Sequence, residues 1–287
     1  VGNVIHNTLL RLYTPWLNRT VCRKDISVER DIMPLFREEL ESSGMIDRLP
    51  SESLFMLQVS APLRFRDFLA AQPEEMKPVL LEGRLTAPLM VGGAERMLEG
   101  RLDRVDRRGD SFVVVDYKTG KSDFDLLKTF YGLKLQLVTY MKAAQRIEKK
   151  RHPDKNIIPA GILYYNIDNP IIEVQSMPDE EDADYREAVD EMILENLRMK
   201  GVVNEDTEII RKMDDRGGKS AVIPVAFKSN GELDMRSHIY STQKFEQLTD
   251  YVTEKSADMA AGIFGGNVDV NPYHTQKEDA CTYCPYH

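Results

Sequence analysis

The sequence predicts a mixed α/β protein in which one sheet, built around an antiparallel strand meander, is flanked by helices. Apolar residues recur at helical spacing in the first seventy residues and again over 124–150, and from residue 78 the spacing changes to period two. The elements then run in the order helices, strands, helix, strand, as they do when helices cover a sheet rather than each other. A chain of 287 residues with 42% hydrophobic and 30% charged side chains is large enough to bury a core and too apolar for wholesale disorder.

Over residues 4–13, His6, Leu9, Leu10 and Tyr13 fall at i, i+3, i+4 and i+7, a helix face that turns His6 inward with the apolar side chains. Residues 27–43 form an acidic amphipathic segment with Ser27 as N-cap and Pro34 breaking or restarting the helix, and 52–72 form a helix interrupted near Pro62. Three strands follow, PVLLEGRL (78–85), RMLEGRLDRVD (96–106) and SFVVVDYKTG (111–120), the last two joined by a turn at Arg108-Gly109-Asp110. A long helix over 124–150, with a break at Gly132, leads to the strand IIPAGILYYNI (157–167). Residues 178–187 are acidic and predict a solvated loop before a helix at 185–199, and the polar stretch 201–220 predicts a mobile segment. A strand VIPVAF, a turn at Asn230-Gly231 and a helix over 242–264 complete the body. The organisation is one domain: N-terminal helices over 1–75, a central core over 78–167, and helices and strands over 185–287.

No run approaches the ~20 apolar residues of a membrane helix, and the opening VGNVIHNTLLRLYTPW lacks a secretory pattern, so the expectation is a soluble cytoplasmic protein with no membrane partner. Cys22, Cys281 and Cys284 are too few and too uneven for a disulfide framework, which fits a reducing compartment. The net charge of −9 gives the whole molecule no affinity for a polyanion, so any nucleic-acid contact must come from a local patch or bound cations. Such a patch exists between 128 and 155, where Lys128, Lys134, Lys142, Arg146, Lys149, Lys150, Arg151 and Lys155 face only Glu148 and Asp154. It supplies phosphate contacts, while beyond residue 145 a basic solvated face or a docking surface for an acidic partner is the alternative.

The chemistry concentrates between 99 and 140. Asp116 and Lys118 are two apart on a strand and share a face, with Asp103 on the preceding strand. Two carboxylates so placed bind Mg²⁺ or Mn²⁺, and a neighbouring lysine assists hydrolysis of a phosphodiester. The plainer reading is a set of surface charges on an amphipathic hairpin. Against it, the run Val113-Val114-Val115 marks a strand covered on both faces, at whose end a carboxylate is costly unless paired or metal-bound.

G-R-L-D (100–103), V-V-D-Y-K-T-G (114–120), Tyr131-Gly132 and Q-x-x-x-Y (Gln136 to Tyr140), preceded by G-N-V-I-H (2–6), resemble the PD-(D/E)xK nucleases of the RecB type, with a restriction-endonuclease-like core. The resemblance implies a catalytic core over 78–167, metal ligation by His6, Asp103, Asp116 and the backbone carbonyl of Tyr117, assistance to hydrolysis by Lys118, and contact with DNA or support of the site by Gln136 and Tyr140. His6 also fits a core histidine, and Gln136 and Tyr140 a buried hydrogen bond without catalytic duty. Glu82 supports the site or faces solvent. Arg101 and Arg104 contact phosphate or form surface salt bridges, and Lys128 and Lys134 are further candidate DNA contacts.

S-T-Q-K-F-E-Q-L (241–248), V-N-P-Y (270–273) and A-C-T-Y-C-P-Y-H (280–287) look like the end of the AddB-type nuclease domain, from the B subunit of a bacterial helicase-nuclease. That resemblance implies an exonuclease acting in double-strand-break repair by recombination, partnered by DNA, an AddA-like A subunit and the rest of its own subunit. It also implies a 4Fe-4S cluster, of whose four cysteines Cys281 and Cys284 match. The two outer ligands are expected outside this chain, which reads as a domain excised from a longer subunit and carrying no complete cluster. Cys22 reads as a small core residue, a Cys281, Cys284, His287 zinc site offers only three ligands, and the tail after 274 is expected to be mobile. The alternative function is a catalytically silent nuclease-like module that binds DNA or docks subunits; the intact aspartates and lysine favour the enzyme.

Overall fold

The computed structural model describes residues 1–120, 122–167, 185–270, 272–274, 281 and 284. In chain order the elements are α1 (Gly2–Tyr13), β1 (Val21–Cys22), α2 (Met33–Ser42), α3 (Ser51–Ala70), β2 (Glu75–Met76), β3 (Pro78–Val91), β4 (Ala94–Arg108), β5 (Ser111–Lys118), α4 (Leu126–Phe130), α5 (Gln136–Arg151), β6 (Ile158–Asn166), α6 (Tyr185–Leu197), β7 (Lys200–Asn204), α7 (Thr207–Met213), β8 (Ile239–Tyr240) and α8 (Thr242–Phe264). Strands β3 to β8 form one mixed sheet in sequence order, and β1 and β2 pair separately. The meander β3–β4–β5 is antiparallel, whereas β5 and β6 run parallel because α5 carries the chain back across the sheet between them.

β5 has sheet neighbours on both edges and is buried along all but its last residue. Its side chains alternate between two apolar layers. Val113, Val115 and Tyr117 join the layer of α1, α2 and α3, with Leu9, Phe36 and Phe65. Phe112 and Val114 join the layer of α5 and α8, with Val138, Met141, Phe245 and Val252. The same period of two sends Asp116 and Lys118 toward the second layer, at the end of the strand where apolar cover gives way.

Several expectations are corrected. Pro62 does not interrupt α3: the carbonyl it frees belongs to exposed Gln58, which water can satisfy, while Leu57, Ala61, Phe65 and Phe68 hold the buried stripe together. Pro34 restarts the helix as the second residue of α2, where no N–H is needed, after a π-helical turn capped by the Ser27 hydroxyl. The break expected at Gly132 is present, and this glycine, at φ +87°, lies between α4 and α5. The polar stretch 201–220 contains most of β7 and all of α7, because Val202 and Val203 pack beside β6 and Asp206 caps α7. VIPVAF is no strand: Val222, Ile223 and Val225 are buried, but Pro224 cannot extend a ladder, and the pairing partner of β7 is instead β8. The acidic loop proper and most of the tail after 274 lie outside the described residues.

Arg104, expected at the surface, is fully buried. Paired with Val115 across the β4–β5 ladder, it turns into the helical layer. There its Nε donates to Asp106 Oδ1 at 2.8 Å, a second nitrogen pairs with the other Asp106 oxygen, and Nη1 donates to Gln72 and to the Tyr117 hydroxyl at 3.0 Å. Its guanidinium lies 4.5 Å over the Tyr13 ring. A buried cation needs such a full complement of partners. Arg104→Ala should therefore lower the unfolding free energy in urea by about 3–5 kcal/mol, because it strands Asp106 in the core.

Candidate active site

The site begins where the β4–β5 ladder stops. Pairing runs from Arg108/Ser111 to Arg104/Val115, and the next residues in register are Asp103 and Asp116. Instead of a backbone pair, the Asp103 side chain enters the gap, and its Oδ2 accepts the Tyr117 N–H at 2.6 Å. In an extended strand the C=O of a residue points to the same edge as its N–H, so the Tyr117 carbonyl faces the same gap.

Two elements converge on Asp103. From α1, His6 brings Nδ1 to 3.6 Å from Asp103 Oδ1 and 3.4 Å from Glu82 Oε1, with its ring edge-on to Tyr117 at 5.9 Å. Glu82 lies on β3 opposite Asp103 with φ +43°, a left-handed conformation rare for a non-glycine residue in a strand. Its other oxygen lies 2.5 Å from Arg101 Nε. His6, Glu82 and Asp103 each offer a ligand atom, all within 4.8 Å of one another, the one such group among the described residues.

Asp116 stands beside this group. Its buried Oδ2 is ion-paired with the Lys118 ammonium at 2.5 Å. Burial pushes the Asp116 carboxyl above its usual range, Lys118 pulls it down, and the charge of Asp103 adds to the rise. Pairing with Asp103 and then Glu82 raises His6 to about 9 against the effect of burial. Carboxylate oxygens, an imidazole and a further buried carboxylate fit a hard divalent cation such as Mg²⁺ or Mn²⁺.

Gln136, the first residue of α5, donates to the hydroxyl of buried Tyr140 at 2.8 Å. The Tyr140 ring lies over Gly100 so closely that a Cβ there would come within 2.6 Å of it, which accounts for the glycine of G-R-L-D. Arg101 is exposed and engaged with Glu82; Arg104 is in the core and cannot reach a phosphate. The Lys134 ammonium donates to the Asp123 carbonyl at 2.7 Å, and half-buried Lys128 follows the N-cap Asp125 on α4. Part of the basic run is paired with acids: Lys142 with Asp250 and Lys155 with Asp110, at 2.7 and 2.8 Å.

Cys22 is half-buried on β1, 3.9 Å from a Glu75 oxygen, and not the core residue expected. Cys281 and Cys284 share a turn through a 3.0 Å backbone hydrogen bond. With three cysteines the chain falls one short of the four thiolates of a 4Fe-4S cluster, so its own residues do not fit that group. His287 of the three-ligand zinc alternative lies outside the described residues. Glu82 is the residue whose part in the cluster the sequence left open; the signal was a glutamate breaking the apolar run Val79-Leu80-Leu81 just before Gly83.

The PD-(D/E)XK nuclease superfamily pattern matches residues 1–287. The chain belongs to that superfamily. It is 36% identical over 214 residues, 71% of its length, to the B subunit of the ATP-dependent helicase/deoxyribonuclease of Thermoanaerobacter sp. (strain X514), of which it covers 18%. The protein of that name from Lachnoclostridium phytofermentans is 36% identical over 66% of the chain and 17% of the relative, and that from Bacillus thuringiensis (strain Al Hakam) is 28% identical over the whole chain and 26% of the relative. The chain is thus a superfamily domain homologous to a small share of these longer proteins. No helix among the described residues is long and apolar enough to cross a membrane.

Without divalent metal, the raised affinity of His6 for its proton stabilises the fold. That contribution is complete below the unfolded value of 6.5 and lost as pH rises through about 9. In EDTA, urea titrations should show the parent losing on the order of 2 kcal/mol more than His6→Asn between pH 6.5 and 9.5, a figure reduced for the solvent that reaches the ring. Asp116→Asn should raise the metal-free melting temperature at neutral pH, since it removes a buried charge whose desolvation outweighs its pairing.

Proposed function

We propose that this chain is a metal-dependent deoxyribonuclease domain that hydrolyses phosphodiester bonds, working as an exonuclease within a bacterial helicase-nuclease that repairs double-strand breaks by recombination. The observation that carries the reading is the open end of the β4–β5 ladder, where Asp103 and Asp116 come into register with Lys118 alongside and His6 and Glu82 closing one side.

His6, Asp103, Asp116 and the Tyr117 carbonyl would hold Mg²⁺ or Mn²⁺, with Glu82 as a further carboxylate. The bound cation supplies Lewis-acid polarisation of the scissile phosphate and a supply of nucleophile at neutral pH. Lys118, held against Asp116, is placed to orient the attacking water and to offset charge developing on the phosphate. Gln136 fixes the Tyr140 ring over Gly100, which steadies the strand leading into Asp103. Arg101 is the exposed cation nearest the carboxylates in sequence and is assigned to the DNA backbone, with Lys128 and Lys134 as further contacts.

The names of the relatives support DNA as substrate and a helicase assembly as setting, and hence an AddA-like partner and the remainder of a longer AddB-like chain, in the cytoplasm. A 4Fe-4S cluster in such a longer chain would take Cys281 and Cys284 together with cysteines this chain does not contain.

The test is cleavage of single- and double-stranded DNA with Mg²⁺ or Mn²⁺. Asp116→Ala and Lys118→Ala should each lower the rate by about a hundredfold or more with cooperative unfolding retained. Isothermal titration of Mn²⁺ should weaken for Asp116→Ala and stay close to the parent for Lys118→Ala. A parent that binds DNA but never cuts it would replace this reading with the silent module.

A further inference from the structure

The largest feature that the chemistry above leaves unused is aromatic. Beyond the catalytic end of β5, the short helix α4 and the turn after it expose Leu126, Leu127, Phe130 and Tyr131, each about half accessible or more; Phe130 is 53% and Tyr131 51% exposed. Their rings form a row. Tyr251 of α8 stacks on Phe130 at 5.5 Å with 5° between the planes, Phe130 meets Tyr131 at 5.4 Å, and Tyr131 meets Tyr273 at 5.4 Å. The row is held stiffly, because the Tyr251 hydroxyl donates to the Phe130 carbonyl at 2.6 Å and α4 is capped by Asp125. An open cavity of about 340 Å³ lies between α4 and α8, and the one charged side chain lining it among the described residues is Lys244. That ammonium sits 5.7 Å over the Tyr240 ring.

We infer that this row is a stacking platform for the bases of a single-stranded segment of the nucleic-acid substrate, with Lys244 on its backbone. The inference rests on the nuclease reading and extends it to a substrate class. Unpaired bases present flat faces that aromatic rings accept whatever the sequence, whereas a duplex keeps those faces covered. A lysine in an otherwise uncharged lining complements phosphate. The row is also continuous with the reaction centre: Lys134, in the turn after Tyr131, reaches back to the Asp123 carbonyl in the segment leaving β5, and two residues later Gln136 begins the helix that lays Tyr140 on Gly100. A protein surface docked on the same face is the competing occupant, and the experiment separates the two.

The experiment is fluorescence anisotropy of this 287-residue protein in EDTA, where no cleavage occurs, with three labelled probes: dT20, an abasic oligomer of the same length, and a 20-base-pair duplex. Phe130→Ala and Tyr131→Ala should weaken dT20 binding roughly five- to a hundredfold, with binding of the abasic oligomer unchanged and the duplex bound more weakly than dT20 by the parent. Phe130→Leu keeps the apolar volume and removes the ring. It should lose as much as Phe130→Ala, so a folding defect in the alanine variant does not spoil the test. Aromatic variants that bind dT20 as the parent does, while the parent still cuts DNA, would overturn the platform alone and leave the face to a protein partner. Equal losses on dT20 and the abasic oligomer would also overturn it. A parent that neither binds dT20 nor cuts any DNA would overturn the nuclease reading and the platform with it.

Discussion

The hydrogen bond from the Tyr117 N–H to the Asp103 carboxylate is the constraint on which the site depends. In an uninterrupted antiparallel pair that donor would go to a backbone carbonyl on β4, and the two strands would stay closed to their ends. By taking the donor itself, the Asp103 side chain ends the ladder one residue pair early and holds the strands apart at the point where both carry carboxylates. The gap satisfies a backbone group that would otherwise be orphaned, so it adds no unpaired polar atom to the core. Asp116 bears the remaining cost, as a buried carboxylate whose desolvation Lys118 offsets only in part.

The rest of the fold keeps that gap in place. β5 is gripped by β4 on one edge and β6 on the other, and its alternating side chains anchor it in both apolar layers. Arg104, directly before the ladder's last open pair, ties β4 to Tyr117, Gln72 and Tyr13. The arginine looked like a phosphate contact because it stands next to an aspartate of the motif. Strand parity assigns it the opposite face, and what it fixes is the position of the carboxylate beside it.

The strands were legible because period two persists through β3, β4 and β5, and the placement of Asp103, Asp116 and Lys118 on that meander follows from it. The helix around Pro62 was harder to read, since local chemistry argues for a break there and only the tertiary contacts of Leu57, Ala61 and Phe65 overrule it. The short elements β7, α7 and β8 were obscured by polar composition, because their burial comes from neighbours distant in sequence. Glu82 stayed ambiguous for a related reason: its left-handed backbone, which turns the carboxylate toward His6, breaks the alternation by which a strand residue's face is inferred.

His6 reaches the carboxylates from a helix that belongs to one apolar layer, while Asp116 and Lys118 belong to the other side of the sheet. Nearly a hundred positions of chain separate the histidine from Asp103. The donor set is thus complete only while α1 stays docked against the sheet. Local opening of that one helix would remove an imidazole without unfolding the strands, because a helix packed on one face of a sheet opens at lower free energy than the central strands it covers. Occupancy of a cation centre built on these residues would then be tied to the docking equilibrium of a single helix, and anything that grips or releases the layer of α1 would set how strongly such a centre held its cation.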